Sequence, residues 1–232
     1  MRKQTLKTLT LAASMIFAAA LPAFASESFI VCSGTTFKLT GSYPSGSYAQ
    51  YEWMDFNGTT VGTTNLSNAA DYSNVSLSAT TAAVKKQYVT RGHNGSCWSD
   101  YDTVTVYVLP ALTTTVTAQN SFGCSNDFND TLTAATDLSG IDWTAIGGQG
   151  SIATGTYSWS GGTGTPFGTK DSQYAATSQG TYTASVGYDP ASLPTTVNGQ
   201  TIKGTKVDCT STGGTTTITT TTAPVAPTVD IQ

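Results

Sequence analysis

Charge is scarce in this chain, and basic charge is scarcest. Only 10% of its 232 residues are Asp, Glu, Lys or Arg, with ten basic against fourteen acidic side chains and a net charge of −4. A nucleic acid or an anionic membrane surface would call for a basic patch, and the composition offers none. Histidine occurs once, as His93, and no two cysteines stand in C-x-x-C spacing, which excludes an ordinary tetrahedral zinc site. No G-x-S-x-G elbow accompanies the histidine, and Arg91-Gly92-His93-Asn94-Gly95 reads as an exposed hairpin tip. Glutamate occurs twice, as Glu27 and Glu52, so a glycosidase carboxylate pair has few sources. Glu52 neighbours Trp53 and is expected on the opposite, solvent face of its strand. Ser125-Asn126-Asp127-Phe128-Asn129-Asp130 carries oxygens but lacks the glycine and spacing of a calcium loop, and reads as a solvated turn. These absences predict a protein that is not an enzyme and takes no cofactor and no metal.

Helical signals are missing as well. Beyond the N-terminus no apolar repeat runs at helical spacing, and the residues that favour exposed helices are few. Thr, Ser, Gly and Asn fill their place, as solvent-facing strands and tight turns require.

What is present begins with an export signal. Arg2, Lys3 and Lys7 precede an apolar run from Leu9 to Ala20, and Ala23-Phe24-Ala25 supplies the small-residue pattern of a cleavage site. The run is short for a membrane span. Residues 1–25 are therefore expected to be a cleaved signal peptide, leaving seven basic and fourteen acidic residues, a net charge of −7. The mature chain is expected to be secreted or held at the cell surface, without a membrane span.

All four cysteines, Cys32, Cys97, Cys124 and Cys209, fall in the mature part, and an even number in an exported chain implies disulfides. An internal repeat suggests the pairing. Cys32-Ser33 opens one unit ahead of Thr35–Thr40, and Cys124-Ser125 opens another ahead of Asp130–Ala134. Cys97 precedes Thr103–Val108 and Pro110; Cys209 precedes Thr215–Thr222 and Pro224. Cys32–Cys97 and Cys124–Cys209 would each close one unit, and such a loop closure stabilises by about 4 kcal/mol. Alternation in Thr103–Val108 predicts Val104, Val106 and Val108 in a core, with Thr103, Thr105 and Tyr107 wet. Tyr51 and Trp53 share a face of a central strand, and Asn57-Gly58 marks a turn after it. Short strands separated by Gly-rich turns indicate a sandwich.

Cys32-Ser33-Gly34, Tyr51-Glu52-Trp53 and Asn94-Gly95-Ser96-Cys97-Trp98-Ser99-Asp100, followed by a Val-Thr strand, resemble the Ig-like or PKD-like repeats of Bacteroidetes secreted and surface proteins. Tyr157-Ser158-Trp159 and Gly180-Thr181-Tyr182-Thr183 resemble the middle of the same repeat, interrupted by an insertion that holds Trp143 and Gly147-Gly148. The resemblance implies spacers, stalks and adhesive modules without catalytic residues. It also gives Ala226–Gln232 the look of a linker into a further module.

The expected fold is all-β: two tandem immunoglobulin-like antiparallel sandwiches over 26–110 and 111–225, then a linker-like tail at 226–232. The expected function is a non-catalytic module for adhesion or spacing, its partner an extracellular glycan or protein surface. Trp53 and Trp159 are expected in cores. Trp98, beside a cysteine, and Trp143, in the insertion, are the candidates for an exposed sugar-binding platform, which gives the alternative of a carbohydrate-binding protein.

Overall fold

The computed structural model describes residues 27–40, 48–57, 60–67, 71–124, 128–148, 150–167, 171–207, 210–211 and 213–222. The expected leader, the expected tail and Cys209 lie outside the described residues. The chain is all-β and forms two tandem Ig-like sandwiches, as the alternating patterns predict. Among the described residues no helix is long and apolar enough to cross a membrane, which leaves strands unaddressed.

The first sandwich is built from β1 (Glu27–Cys32), β2 (Thr36–Thr40), β3 (Gln50–Asn57), β4 (Thr60–Ser67), β5 (Asp71–Ser76), β6 (Val84–His93) and β7 (Asp102–Leu109). The second half supplies β8 (Thr114–Ala118), β9 (Phe122–Cys124), β10 (Asp130–Thr136), β11 (Ser158–Ser160), β12 (Gly164–Phe167), β13 (Gln173–Ala176), β14 (Gly180–Ser185), β15 (Thr196–Val197), β16 (Gln200–Lys206) and β17 (Gly214–Thr221). Two four-stranded sheets, β12-β13-β10-β8 and β11-β14-β17-β9, make the second sandwich. The first pairs a two-stranded sheet, β2-β5, with a seven-stranded sheet ordered β15-β16-β1-β7-β6-β3-β4.

That last order joins the halves. β1 runs parallel to β7 on one side and parallel to β16 on the other, so a strand from the second half completes the first sheet. The division at Pro110 separates the sequence but not the packing. Leu132, Ala176, Tyr182 and Ile218 form the core of the second sandwich, and Phe37, Leu39, Trp53, Tyr88, Val104, Val106 and Val108 that of the first. A further core lies at the junction, where Ile30, Tyr107 and Leu109 meet Trp143, Ile146, Val186 and Tyr188. The Tyr188 hydroxyl donates to Pro110 O at 2.8 Å and so ties the linker to the second half.

The junction overturns the expectation of a wet face on β7. Val104, Val106 and Val108 do face the first core, but Thr105 and Tyr107 are 0% and 1% exposed. Tyr107 lies in the junction core, so β7 is covered on both faces. Threonine and tyrosine are common on open faces, and nothing local distinguishes a face that another module will cover.

The cysteine pairing is corrected too. Cys32 is disulfide-bonded, whereas Cys97 and Cys124 are free, exposed thiols. Cys32 pairs in register with Leu109 at the junction end of β7, and Cys97 lies beyond the other end of that strand. Seven residue steps of β-strand separate those ends by about 20 Å, far beyond the reach of a disulfide. Cys32 Sγ instead lies 3.8 Å from Lys206 O on β16. Cys124, unbridged, sits in β9 opposite Thr221 of β17.

Candidate functional site

The β6–β7 hairpin is the place where sequence chemistry and exposure coincide. Its turn is organised by Asn94, whose Oδ1 accepts from the backbone N–H groups of Ser96 and Cys97 at 3.0 and 2.9 Å. Asn94 N donates to Cys97 O, and Gly95 takes the φ of +97° that such a tight turn needs. An isolated bridge between His93 and Trp98 closes the hairpin below the turn. Gly92 is required by a close approach: a Cβ there would meet the Tyr48 ring at 2.4 Å.

Glu52 on β3 stands in register opposite Arg91 on β6, and the two form an ion pair through Oε2 and Nε. Tyr101 donates its hydroxyl to the same Glu52 oxygen at 3.4 Å. The Arg91 guanidinium lies 4.5 Å from the ring centroids of both Trp98 and Tyr101. His93 adds a further ring contact, its centroid 4.8 Å from that of Trp98. The outcome is a compact stack of one carboxylate, one guanidinium and three rings. Desolvation, and secondarily the Glu52 carboxylate, push the Tyr101 phenol above its ordinary range.

Glu52 therefore does not face open solvent as expected. It is 9% exposed, because Arg91 and Tyr101 close over it. Trp98 is half-buried, with Arg91 and His93 against its ring. Chemically the cluster presents hydrogen-bonding and ionic groups held between β3 and the β6–β7 hairpin.

Trp143 lies elsewhere. It is 5% exposed, packs edge-on against Tyr188 at 6.2 Å in the junction core, and donates its indole N–H to Leu138 O. The insertion that looked like an exposed loop is the packing surface of the second half. Trp53 is 1% exposed, and Trp159 stacks on Tyr174 with its indole N–H on Asp171 O. Asp130, expected in a solvated turn, is buried; its Oδ1 accepts from Asn120 N and Thr131 N. Asp127 lies outside the described residues. Among the described residues no group of three or more His, Cys, Asp or Glu could hold a metal ion.

Arg91 and Tyr101 escaped sequence reasoning. The signal that would have found them is register: once Glu52 and Arg91 are placed opposite, the hairpin length brings Trp98 and Tyr101 to the guanidinium.

No family profile matches the chain, and no curated protein matches it. Among solved structures, the chain is similar to the fibronectin(III)-like modules of Clostridium thermocellum CbhA, at 14% identity, covering 91% of this chain and 97% of that one with a TM-score of 0.34. Murine CEACAM1b gives 10% identity, 83% and 96% coverage, and a TM-score of 0.31. The N-terminal four Ig domains of Dscam1 isoform 6.9 give 11% identity, 87% and 45% coverage, and a TM-score of 0.28.

Proposed function

We propose that the protein is a non-catalytic, exported double Ig-like module that serves adhesion or spacing at the cell surface. The observation that carries this reading is the seven-stranded sheet, in which β16 of the second half completes the sheet of the first through β1. Two sandwiches sharing a sheet and a core hold a fixed relation to one another, as a spacer or a stiff adhesive arm must. Kinship with the Ig-like or PKD-like repeats of Bacteroidetes surface proteins belongs to the same proposal and rests on the motifs around Cys32, Tyr51-Glu52-Trp53 and Trp98. The side chains stacked against Trp98 speak for a structural use of that tryptophan over sugar stacking.

The test is binding of the purified, oxidised protein to whole cells and to a panel of polysaccharides, with Trp98→Ala alongside. Attachment to a cell or protein surface that Trp98→Ala leaves intact, without turnover of any glycan, is the expected result. Saturable binding to one glycan class, abolished in Trp98→Ala, would replace this reading with sugar recognition.

A further inference from the structure

The disulfide at Cys32 leaves Cys97 and Cys124 as free, exposed thiols, and they stand at opposite ends of the molecule. Cys97 is in the β6–β7 turn, beyond the Asp102 end of β7, whereas Leu109 at the other end of that strand lies in the junction core. Cys124 closes β9, opposite Thr221 at the end of β17. β17 starts beside the junction, where Gly214 lies against Thr114 O and the neighbouring Ser211 Oγ accepts from Val186 N. A whole strand, about 20 Å, therefore separates each thiol from the junction, and a bond between them within one copy is out of reach.

Both thiols point outward from fixed backbone. Cys97 N donates to Asn94 Oδ1 at 2.9 Å, and Cys97 O accepts from Asn94 N at 3.1 Å. On β9 the inner face belongs to Gly123, where a Cβ would meet the Phe128 ring at 2.6 Å, so Phe122 and Cys124 share the outer face. A second observation coincides with the thiols. Among the described residues the exposed large apolar side chains are Tyr101 and Phe122, at 37% and 60%, and one lies at each of these poles. Tyr101 belongs to the stack beside the Cys97 turn, with the Arg91 guanidinium 4.5 Å from its ring and from that of Trp98. Each pole thus joins a thiol to an uncovered ring, but only the hairpin pole also carries a guanidinium. A guanidinium is attracted to an aromatic ring and repelled by a second guanidinium, which favours contact between unlike poles.

We propose that the hairpin pole of one copy docks on β9 of the next, Phe122 against the Arg91–Tyr101 stack, and that Cys97 and Cys124 join across the contact as an intermolecular disulfide. The contact is heterologous and uses opposite ends of each copy, so its repetition gives an open filament. The oxidant is a small disulfide. The Cys97 thiolate attacks one of its sulfurs, forming a mixed disulfide and releasing one thiolate; the Cys124 thiolate of the next copy then attacks the Cys97 sulfur and releases the other. Two electrons pass to the oxidant, which leaves as two thiols carrying the two cysteine protons. The proposal rests on the exported, spacing reading, which supplies the oxidising surroundings, and extends it from one molecule to a fibre.

The experiment incubates the purified monomer with oxidised glutathione at rising protein concentration, followed by non-reducing electrophoresis and disulfide peptide mapping. The expected result is a concentration-dependent ladder that dithiothreitol returns to monomer, with a Cys97–Cys124 peptide as its crosslink. Cys97→Ser and Cys124→Ser should each stay monomeric alone, and their mixture should stop at dimers. Phe122→Ala keeps both thiols on an exposed strand and should form dimers about fivefold more slowly, the scale of one lost aromatic contact. Monomer capped by glutathione at every concentration overturns the proposal. So do Cys97–Cys97 or Cys124–Cys124 peptides as the main crosslinks, or a Phe122→Ala dimer rate equal to the wild type. Cell attachment measured on the Cys97→Ser monomer tests the adhesion reading separately, so either can fail alone.

Discussion

Leu109→Ala tests whether the two sandwiches are one cooperative unit. Leu109 is 0% exposed, ends β7 in register with Cys32, and packs in the core that the halves share. Truncating a fully buried leucine costs about 3–4 kcal/mol, the transfer loss plus the cavity left behind. In a chain of this size each kcal/mol lowers the melting temperature by about 2–4 °C, so a fall of about 10 °C is expected. The distinctive outcome is not the size but the shape. By differential scanning calorimetry the oxidised protein should unfold in one transition, with calorimetric and van't Hoff enthalpies in agreement. Leu109→Ala should displace that whole transition. So should Ile218→Ala, although Ile218 is 1% exposed in the separate core of the second sandwich and touches neither β1 nor β7. Two resolved transitions, with each substitution moving a different one, would refute the shared-core argument.

The remaining expectations concern thiols, tyrosines and the hairpin cluster. Thiol titration of the native protein should find two reactive groups, Cys97 and Cys124, and a non-reducing peptide map should find Cys32 linked to Cys209, the one other cysteine of the chain. Closing that loop of about 180 residues is worth about 5 kcal/mol in the chain-entropy model, so Cys32→Ser should be strongly destabilising; a Cys32–Cys97 peptide would contradict the strand order. Burial raises the phenols of Tyr88 and Tyr188 well above their ordinary value. Their protonated forms therefore favour the folded state fully below about pH 10, where unfolded tyrosine begins to ionise, and that stability is lost as pH rises further. Absorbance at 295 nm should show these two tyrosines titrating only with alkaline unfolding, and Tyr188→Phe should remove one of them. At the hairpin, Arg91→Ala should cost about 2 kcal/mol by leaving Glu52 without its cation, whereas Trp98→Ala should cost about 1 kcal/mol for the lost cation–π contact. The reverse ranking in denaturant melts would show that Glu52 is satisfied by other means.

Local pattern carried the fold class well. The burial of Tyr51 and Trp53 on β3, the Asn94-Gly95 turn and the valine face of β7 each depend on neighbours a few residues away, and each is found where expected. What stayed hidden depends on partners far along the chain. Nothing in Glu27–Cys32 announces that it will lie between β7 and β16, the latter some 170 residues away, yet that position buries Tyr107 and carries Cys32 away from Cys97. The repeat that suggested two self-contained disulfides is symmetric, whereas the packing is not. Trp98 drew attention for its turn-rich surroundings, but only strand register brings Arg91 and Glu52 beneath it.

The placement of β1 also decides how the molecule carries load. Its N-terminal end points away from the junction, and β17 leaves the junction at Gly214 and runs to the opposite pole. Tension applied between Glu27 and Thr221 therefore draws β1 along its own axis, past two parallel neighbours at once. The hydrogen bonds to β7 and β16 lie across that line of pull and bear it together, so rupture requires both ladders to slide before any single bond is free to peel. Pulled from those two strands, the pair of sandwiches resists most along that direction.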